Sequence, residues 1–189
     1  MPLTLASQSP RRARILTDHG VAFDVLATDA PEVSIPHDPE RTVVENAVHK
    51  VQACGRTPAL AADTIVWYDG VIYGKPAGLA EAKAFLRTLS GRTHTVFTGV
   101  AYADADGNVQ TACCRSDVTF RPLAEAEIAS YVAQVNPVDR AGAYDINDHG
   151  DLVVASYTGE YENIMGLPLE ALRAFGIIPP SPGRPATAD

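Results

Sequence analysis

The chain has 189 residues, 46% of them hydrophobic, with 15 Lys and Arg against 23 Asp and Glu and a formal net charge of -8. That length buries a proper core as one large domain or two small lobes, and that hydrophobic share excludes a disordered chain. The acidic balance argues against a protein that coats nucleic acid, which needs a basic face, yet leaves room for a small basic pocket around one nucleotide.

Residues 3–6 read as a first strand, and Gly20 stops a helix expected over 11–19. Between them Ser9 fits a helix N-cap and Pro10 the first helical position. Arg11 and Arg12 then stand beside the free N–H groups of a helix start, a place that attracts an anion and above all a phosphate chain. A capped surface helix with solvated arginines is the plainer alternative. Residues 23–26 read as a second strand, followed by an acidic loop at 28–39 that carries Asp29, Glu32 and Asp38. The apolar positions Val43, Val44, Ala47, Val48 and Val51 recur at helical spacing and predict a helix over 39–54. Its basic end, with His49 and Lys50, suits the helix dipole.

Residues 60–67 are an apolar run of strand length, broken only by Asp63-Thr64. Asp69-Gly70 is a strong hairpin turn, and 71–73 is the returning strand. A helix is expected over 79–89, then strands over 93–103 and 109–120 paired around the turn at 104–108, then a helix over 123–134. A Gly- and Asp-rich stretch at 139–159 leads to a last helix over 169–175. Residues 1–178 make one domain, and the Pro-rich tail at 179–189 is expected to be disordered. Alternating strands and helices mark an α/β fold.

A carboxylate in the middle of an apolar strand is costly unless it is paired, metal-bound or at an opening. Asp63 is therefore either an acceptor of nearby backbone N–H groups, or a metal ligand or general base for a water. Thr64 beside it could reach a base or sugar. Glu32 is a solvated loop carboxylate unless the fold brings it to Asp63, where the two would suit magnesium. Lys75, in Gly74-Lys75-Pro76, and Lys50 are surface lysines or phosphate-holding cations. No P-loop surrounds Lys75, because no Gly-rich run precedes it and no Ser or Thr follows. His94, entering a strand, reads as a hydrogen-bonded structural residue rather than a base. Cys54, Cys113 and Cys114 form neither a disulfide framework nor a zinc spacing and read as reduced core or strand residues. A leader and a membrane-length apolar stretch are both lacking, so a cytoplasmic location without a membrane partner is expected.

Seven blocks in order resemble the Maf family of nucleoside triphosphate pyrophosphatases over residues 3–175. They are Leu5-Ala6-Ser7-Gln8-Ser9-Pro10-Arg11-Arg12, Ala62-Asp63-Thr64, and Asp69-Gly70 leading into Gly74-Lys75-Pro76. Next come Ser90-Gly91 with His94, Thr98-Gly99-Val100-Ala101, Ala141-Gly142-Ala143-Tyr144 and Met165-Gly166-Leu167-Pro168. The resemblance implies a two-lobed α/β fold, similar to that of the ITPases, with a mixed, twisted central sheet flanked by helices and a nucleotide cleft between the lobes. It implies cleavage between the α- and β-phosphates with a divalent metal, magnesium or manganese. Asp63 is the implied proton acceptor, with Glu32, Lys50 and Lys75 completing the catalytic set and Glu32 and Asp63 holding the metal. Ser7, Arg11, Arg12, Lys50 and Lys75 would hold the triphosphate.

Arg11 and Thr64 match the branch of the family that acts on dTTP and UTP. At a third marker position, where that branch carries Gln, this chain has Asn147, which keeps an amide donor and acceptor on a shorter side chain. The implied partner is a nucleoside triphosphate rather than a nucleic acid polymer, and a homodimer fits the family. The rival reading is a non-catalytic nucleotide-binding regulator of cell division.

Overall fold

The computed structural model describes residues 2–181, so the expected tail from 182 onward lies outside the described residues. Seven strands form one mixed sheet: β1 (Leu3–Leu5), β2 (Phe23–Val25), β3 (Ala59–Tyr68), β4 (Val71–Tyr73), β5 (Thr93–Ala103), β6 (Val109–Phe120) and β7 (Val154–Thr158). The order is β2-β1-β3-β5-β6-β7, with β4 paired to β3. β1 is parallel to β2 and to β3, and the other pairings are antiparallel. Among the described residues six α-helices accompany the sheet: α1 (Pro10–Asp18), α2 (Pro39–Cys54), α3 (Leu79–Leu89), α4 (Glu125–Val135), α5 (Tyr161–Met165) and α6 (Leu169–Ala174). The expected mixed α/β architecture is present.

Two local details differ from expectation. Ser9 occupies the N-cap position of α1, but its side chain makes no capping bond; the Ser9 N–H instead donates to the Ser7 hydroxyl at 3.2 Å. The 139–159 stretch and the residues just after it hold a strand and a short helix, β7 and α5, which no periodicity announces.

One feature of β3 positions the site. β5 pairs along one edge of β3 from Ala59 to Trp67, so β1 and β4 must share the other edge. β1 covers it at Ala59 and Leu60, and β4 at Val66 to Tyr68. Among the described residues no strand covers the edge between them, and Asp63-Thr64 sits in that gap. This is where β1 ends and the chain turns into α1, an arrangement that opens a crevice at strand ends, as in other open α/β sheets.

The period of two divides β3 between the faces of the sheet. Leu60, Ala62 and Val66 face one side. There α1 and α6 pack around Leu16, Leu167 and Leu172, while α3 and α4 pack around Leu86, Leu89 and Ile128. These two helical clusters flank the gap. Ala59, Ala61 and Asp63 face the other side, where α2 brings Ala47, Val51 and Cys54 against small strand residues. Gly99, the register partner of Asp63, permits the closest approach: a Cβ there would lie 2.4 Å from the Val43 carbonyl. The α2 backbone therefore rests almost on the sheet beside Asp63.

Candidate active site

The gap in β3 opens into a cavity of about 410 Å³, in the range of small-molecule sites. Five cationic side chains line it (Arg11, Arg12, Lys50, Lys75 and Arg140) against four carboxylates (Glu32, Asp63, Asp139 and Asp145). In a chain of net charge -8 this local excess of positive charge suits a polyanion.

The wall nearest the gap is built on Asp63. Asn46 and Lys50, four residues apart on α2, share one helix face and both reach it. Lys50 Nζ donates to Asp63 Oδ1 at 2.6 Å, and Asn46 Nδ2 to Asp63 Oδ2 at 2.9 Å. Lys50 also pairs with Glu32 at 2.8 Å, so one ammonium joins the two carboxylates expected to meet. Burial pushes the Glu32 carboxyl up, but the Lys50 hydrogen bond and the charges of Lys50, Lys75 and Arg12 outweigh it. The result lies below the ordinary value.

Arg12 is held by three acceptors. Its Nε donates to the Gly166 carbonyl at 2.8 Å, Nη1 to Ser7 Oγ at 3.0 Å and Nη2 to Thr64 Oγ1 at 3.1 Å. Gly166, at φ 103°, must lack a side chain here, since a Cβ would stand 3.0 Å from Thr64 Oγ1. All three acceptors are neutral. Burial lowers Arg12 to about 10, partly offset by Asp63, which leaves it fully charged at neutral pH. Thr64 Oγ1 is shared further with Thr98 Oγ1 at 3.0 Å. Lys75 is exposed at the cavity rim and has no carboxylate partner among the described residues.

The opposite wall differs from expectation. Asn147 is exposed and does not line the cavity; only its backbone N–H takes part, donating to Asp145 Oδ1 at 2.9 Å. Asp145 stands in the wall instead. Its Oδ2 accepts from Arg140 Nε at 2.9 Å and from Arg11 Nη1 at 3.2 Å, while its own N–H donates to the Tyr131 hydroxyl at 3.0 Å. The cause is local: consecutive 3-10 turns at Ala141–Ala143 and Gly150–Leu152 bend the chain so that residue 145 points in and residue 147 out. Arg11, expected on the triphosphate, is thus paired to a carboxylate.

Sequence reasoning missed Asn46, Arg140 and Asp145. Asn46 had a readable sign, a polar residue amid the buried stripe of Val43, Ala47 and Val51, four positions before Lys50. His94 is structural as expected: it is buried, and its Nε2 and the Tyr144 hydroxyl share a hydrogen bond of 3.1 Å. All three cysteines are free; Cys54 is buried, whereas Cys113 on β6 is exposed.

The donor set also bears on a metal. No cluster of three or more His, Cys, Asp or Glu side chains suited to a metal exists among the described residues. Two carboxylates joined by one ammonium carry a net negative charge and keep free lone pairs. That fits a hard divalent ion whose remaining ligands are phosphate and water oxygens. No helix among the described residues is long and apolar enough to cross a membrane.

The Maf-like protein family model matches residues 2–175. The chain belongs to the Maf family. Among its relatives, the dTTP/UTP pyrophosphatase of Akkermansia muciniphila is 38% identical over 175 residues, spanning 89% of this chain and 91% of that protein. The dTTP/UTP pyrophosphatase of Bacillus anthracis is 41% identical over 175 residues, spanning 90% and 91%. Among solved structures, the Staphylococcus aureus Ham1 protein aligns over 64% of this chain and 72% of its own, with a TM-score of 0.48 and 13% identity. Of the Maf blocks, Leu5 to Arg12 and Ala62 to Thr64 meet at the gap in β3, and Gly166 of a third reaches Arg12 there.

Proposed function

We propose that this Maf-family chain hydrolyses dTTP and UTP, and modified pyrimidine nucleotides like them, to the nucleoside monophosphate and pyrophosphate. The observation that carries the reading is Asp63: a buried carboxylate facing a cationic cavity, oriented by Lys50 and Asn46, with acceptor capacity left on both oxygens. Asp63 takes the proton of a water as its oxygen bonds to the α-phosphorus. The bridge from that phosphorus to the β-phosphate breaks, and pyrophosphate leaves. Lys75 and Arg12, the cavity's cations without carboxylate partners among the described residues, supply charge to the phosphate chain. Glu32 and Asp63 would hold magnesium or manganese, which when bound polarises the phosphoryl oxygens. The names of the relatives support the choice of dTTP and UTP.

A pyrophosphate-release screen over dTTP, UTP, CTP and GTP in ¹⁸O-water tests this. Label is expected in the monophosphate, and Asp63→Asn should lower kcat by roughly 10²–10⁴-fold. Label in released orthophosphate would refute cleavage at the α-phosphorus. Wild-type turnover in Asp63→Asn would remove Asp63 from the chemistry, and binding without hydrolysis would favour a regulator.

A further inference from the structure

Asn46 has no assigned part in the chemistry, yet its side chain is buried beside Asp63 and held by three hydrogen bonds. The residue is only 3% exposed. Its Oδ1 accepts from the Val33 N–H at 2.7 Å, and its Nδ2 donates both to the Val33 carbonyl at 3.0 Å and to Asp63 Oδ2 at 2.9 Å. Each of these bonds has a different consequence. The pair to Val33 clamps the segment that carries Glu32 one residue earlier, as a strand neighbour would. The bond to Asp63 fixes the carboxylate plane, because Lys50 alone, on a flexible four-carbon stem, leaves it free to turn. Buried amides with all partners in place hold one geometry, whereas a missing partner leaves a costly unpaired group.

α2 makes this possible through its contact at Gly99, which sets Asn46 at the depth of Asp63. Thr42, one turn earlier, repeats only half of the device. Its hydroxyl accepts from the Ile35 N–H at 3.0 Å and donates to the Asp38 carbonyl at 2.8 Å, with no tie to Asp63. The two residues separate two roles that Asn46 combines: ordering the acidic loop and aiming the carboxylate.

We propose that Asn46 is a positioning residue, locking Asp63 and the Glu32-bearing segment into one unit so that the free lone pairs of Asp63 face the attacking water. The proposal rests on Asp63 being the proton acceptor. It requires a neutral amide: the two donor bonds and the acceptor bond cannot all be kept by Asp or Ala.

The test compares Asn46→Ala, Thr42→Val and Asp63→Asn with the wild type. It measures kcat and KM on dTTP, and calorimetric binding of an α,β-imido analogue that is not turned over. Asn46→Ala should lose roughly 10–100-fold in kcat, the usual cost of removing an orienting partner, with KM and analogue affinity within about three-fold. Thr42→Val should keep kcat within about three-fold while lowering Tm, because it loosens the loop alone. If Asn46→Ala does not fold, Asn46→Ser, which keeps a small polar group in the space, is read by the same split. The inference is overturned if kcat survives in Asn46→Ala, if the loss lies in KM and analogue binding, or if Thr42→Val loses kcat equally. Full turnover in Asp63→Asn overturns the underlying reading instead. An inactive Asp63→Asn beside an unimpaired Asn46→Ala overturns this inference alone.

Discussion

Of the four carboxylates that line the cavity, Asp63 and Asp145 are the two buried ones, and their surroundings differ in kind. Asp63 receives one ammonium and one neutral amide, and with Glu32 and Lys50 it forms a group with one excess negative charge. Asp145 receives two guanidiniums on one oxygen and a backbone N–H on the other, and since Arg140 also pairs with Asp139, the group of Arg11, Arg140, Asp139 and Asp145 carries no net charge. A carboxylate has about four acceptor positions, so Asp63 keeps roughly two open and Asp145 one. Asp63 therefore has room to accept a proton and share a cation at once, whereas Asp145 has a single position left. The second is pinned, and it holds Arg11 and Arg140 in turn. On the proposed reading, one wall serves the chemistry and the other the shape of the cavity.

Gly99→Ala is the strongest test of that contrast. Its Cβ would meet the α2 backbone at 2.4 Å, and backbone cannot rotate away as a side chain can. Overpacking should cost about 3 kcal/mol or more and lift Asn46 and Lys50 from Asp63. Turnover should fall further than the folded fraction, with the far wall unaffected. Denaturant unfolding beside kcat on the folded protein checks this; a loss of turnover no larger than the loss of folded protein would show that the approach of α2 serves packing only.

The far wall has its own breaking point in His94, which backs Tyr144 beside Asp145. Burial lowers His94 to about 4, against a smaller opposite pull from Asp117. In the unfolded chain it titrates near 6.5, so over the window between these values the unfolded state binds more protons. The contribution is complete above about pH 6.5 and is lost as pH falls toward about 4, amounting to about 2 kcal/mol by pH 5. The difference in unfolding free energy between wild type and His94→Gln should shrink by that amount from pH 7 to 5. A difference constant with pH would mean that His94 is not kept neutral by burial.

Much of this was legible in the chain. The helix expected over 39–54 and the strands over 93–103 and 109–120 have the bounds observed: α2 and β5 bury apolar residues along their length, and the turn at 104–108 fixes where β6 begins to pair with β5. β7 and α5 were not legible: the first is mostly exposed and the second is five residues long, too little for a period to show. At the site, motif blocks held Asp63 and Arg12 and the resemblance pointed to Glu32 and Lys50, all of which stand on regular elements or beside them. The placement of Asn147 outside the cavity lining has a different source. In a run of short 3-10 turns no period links sequence position to direction, so a two-residue offset decides which side chain faces the cavity. Asp145 and Arg140 are visible only once that loop is folded.

The smallest expected effect sharpens the comparison most. Asp145→Asn keeps a carbonyl acceptor for Arg140 or Arg11 but removes the charge that pairs with both, leaving Arg140 to Asp139 and Arg11 without a carboxylate partner. Stability should fall by about 1 kcal/mol, since the guanidiniums stay partly open to the cavity. Arg11, so freed, should then bind phosphate, and inorganic tripolyphosphate should inhibit roughly ten-fold more tightly, the equivalent of about 1.4 kcal/mol. kcat on dTTP should fall far less than in Asp63→Asn, because no proton passes through this wall. Equal losses of kcat in the two variants would put both carboxylates in the chemistry. Unchanged inhibition by tripolyphosphate would mean that Asp145 leaves Arg11 free for the phosphate chain after all, returning it to the role its place in the first motif implied.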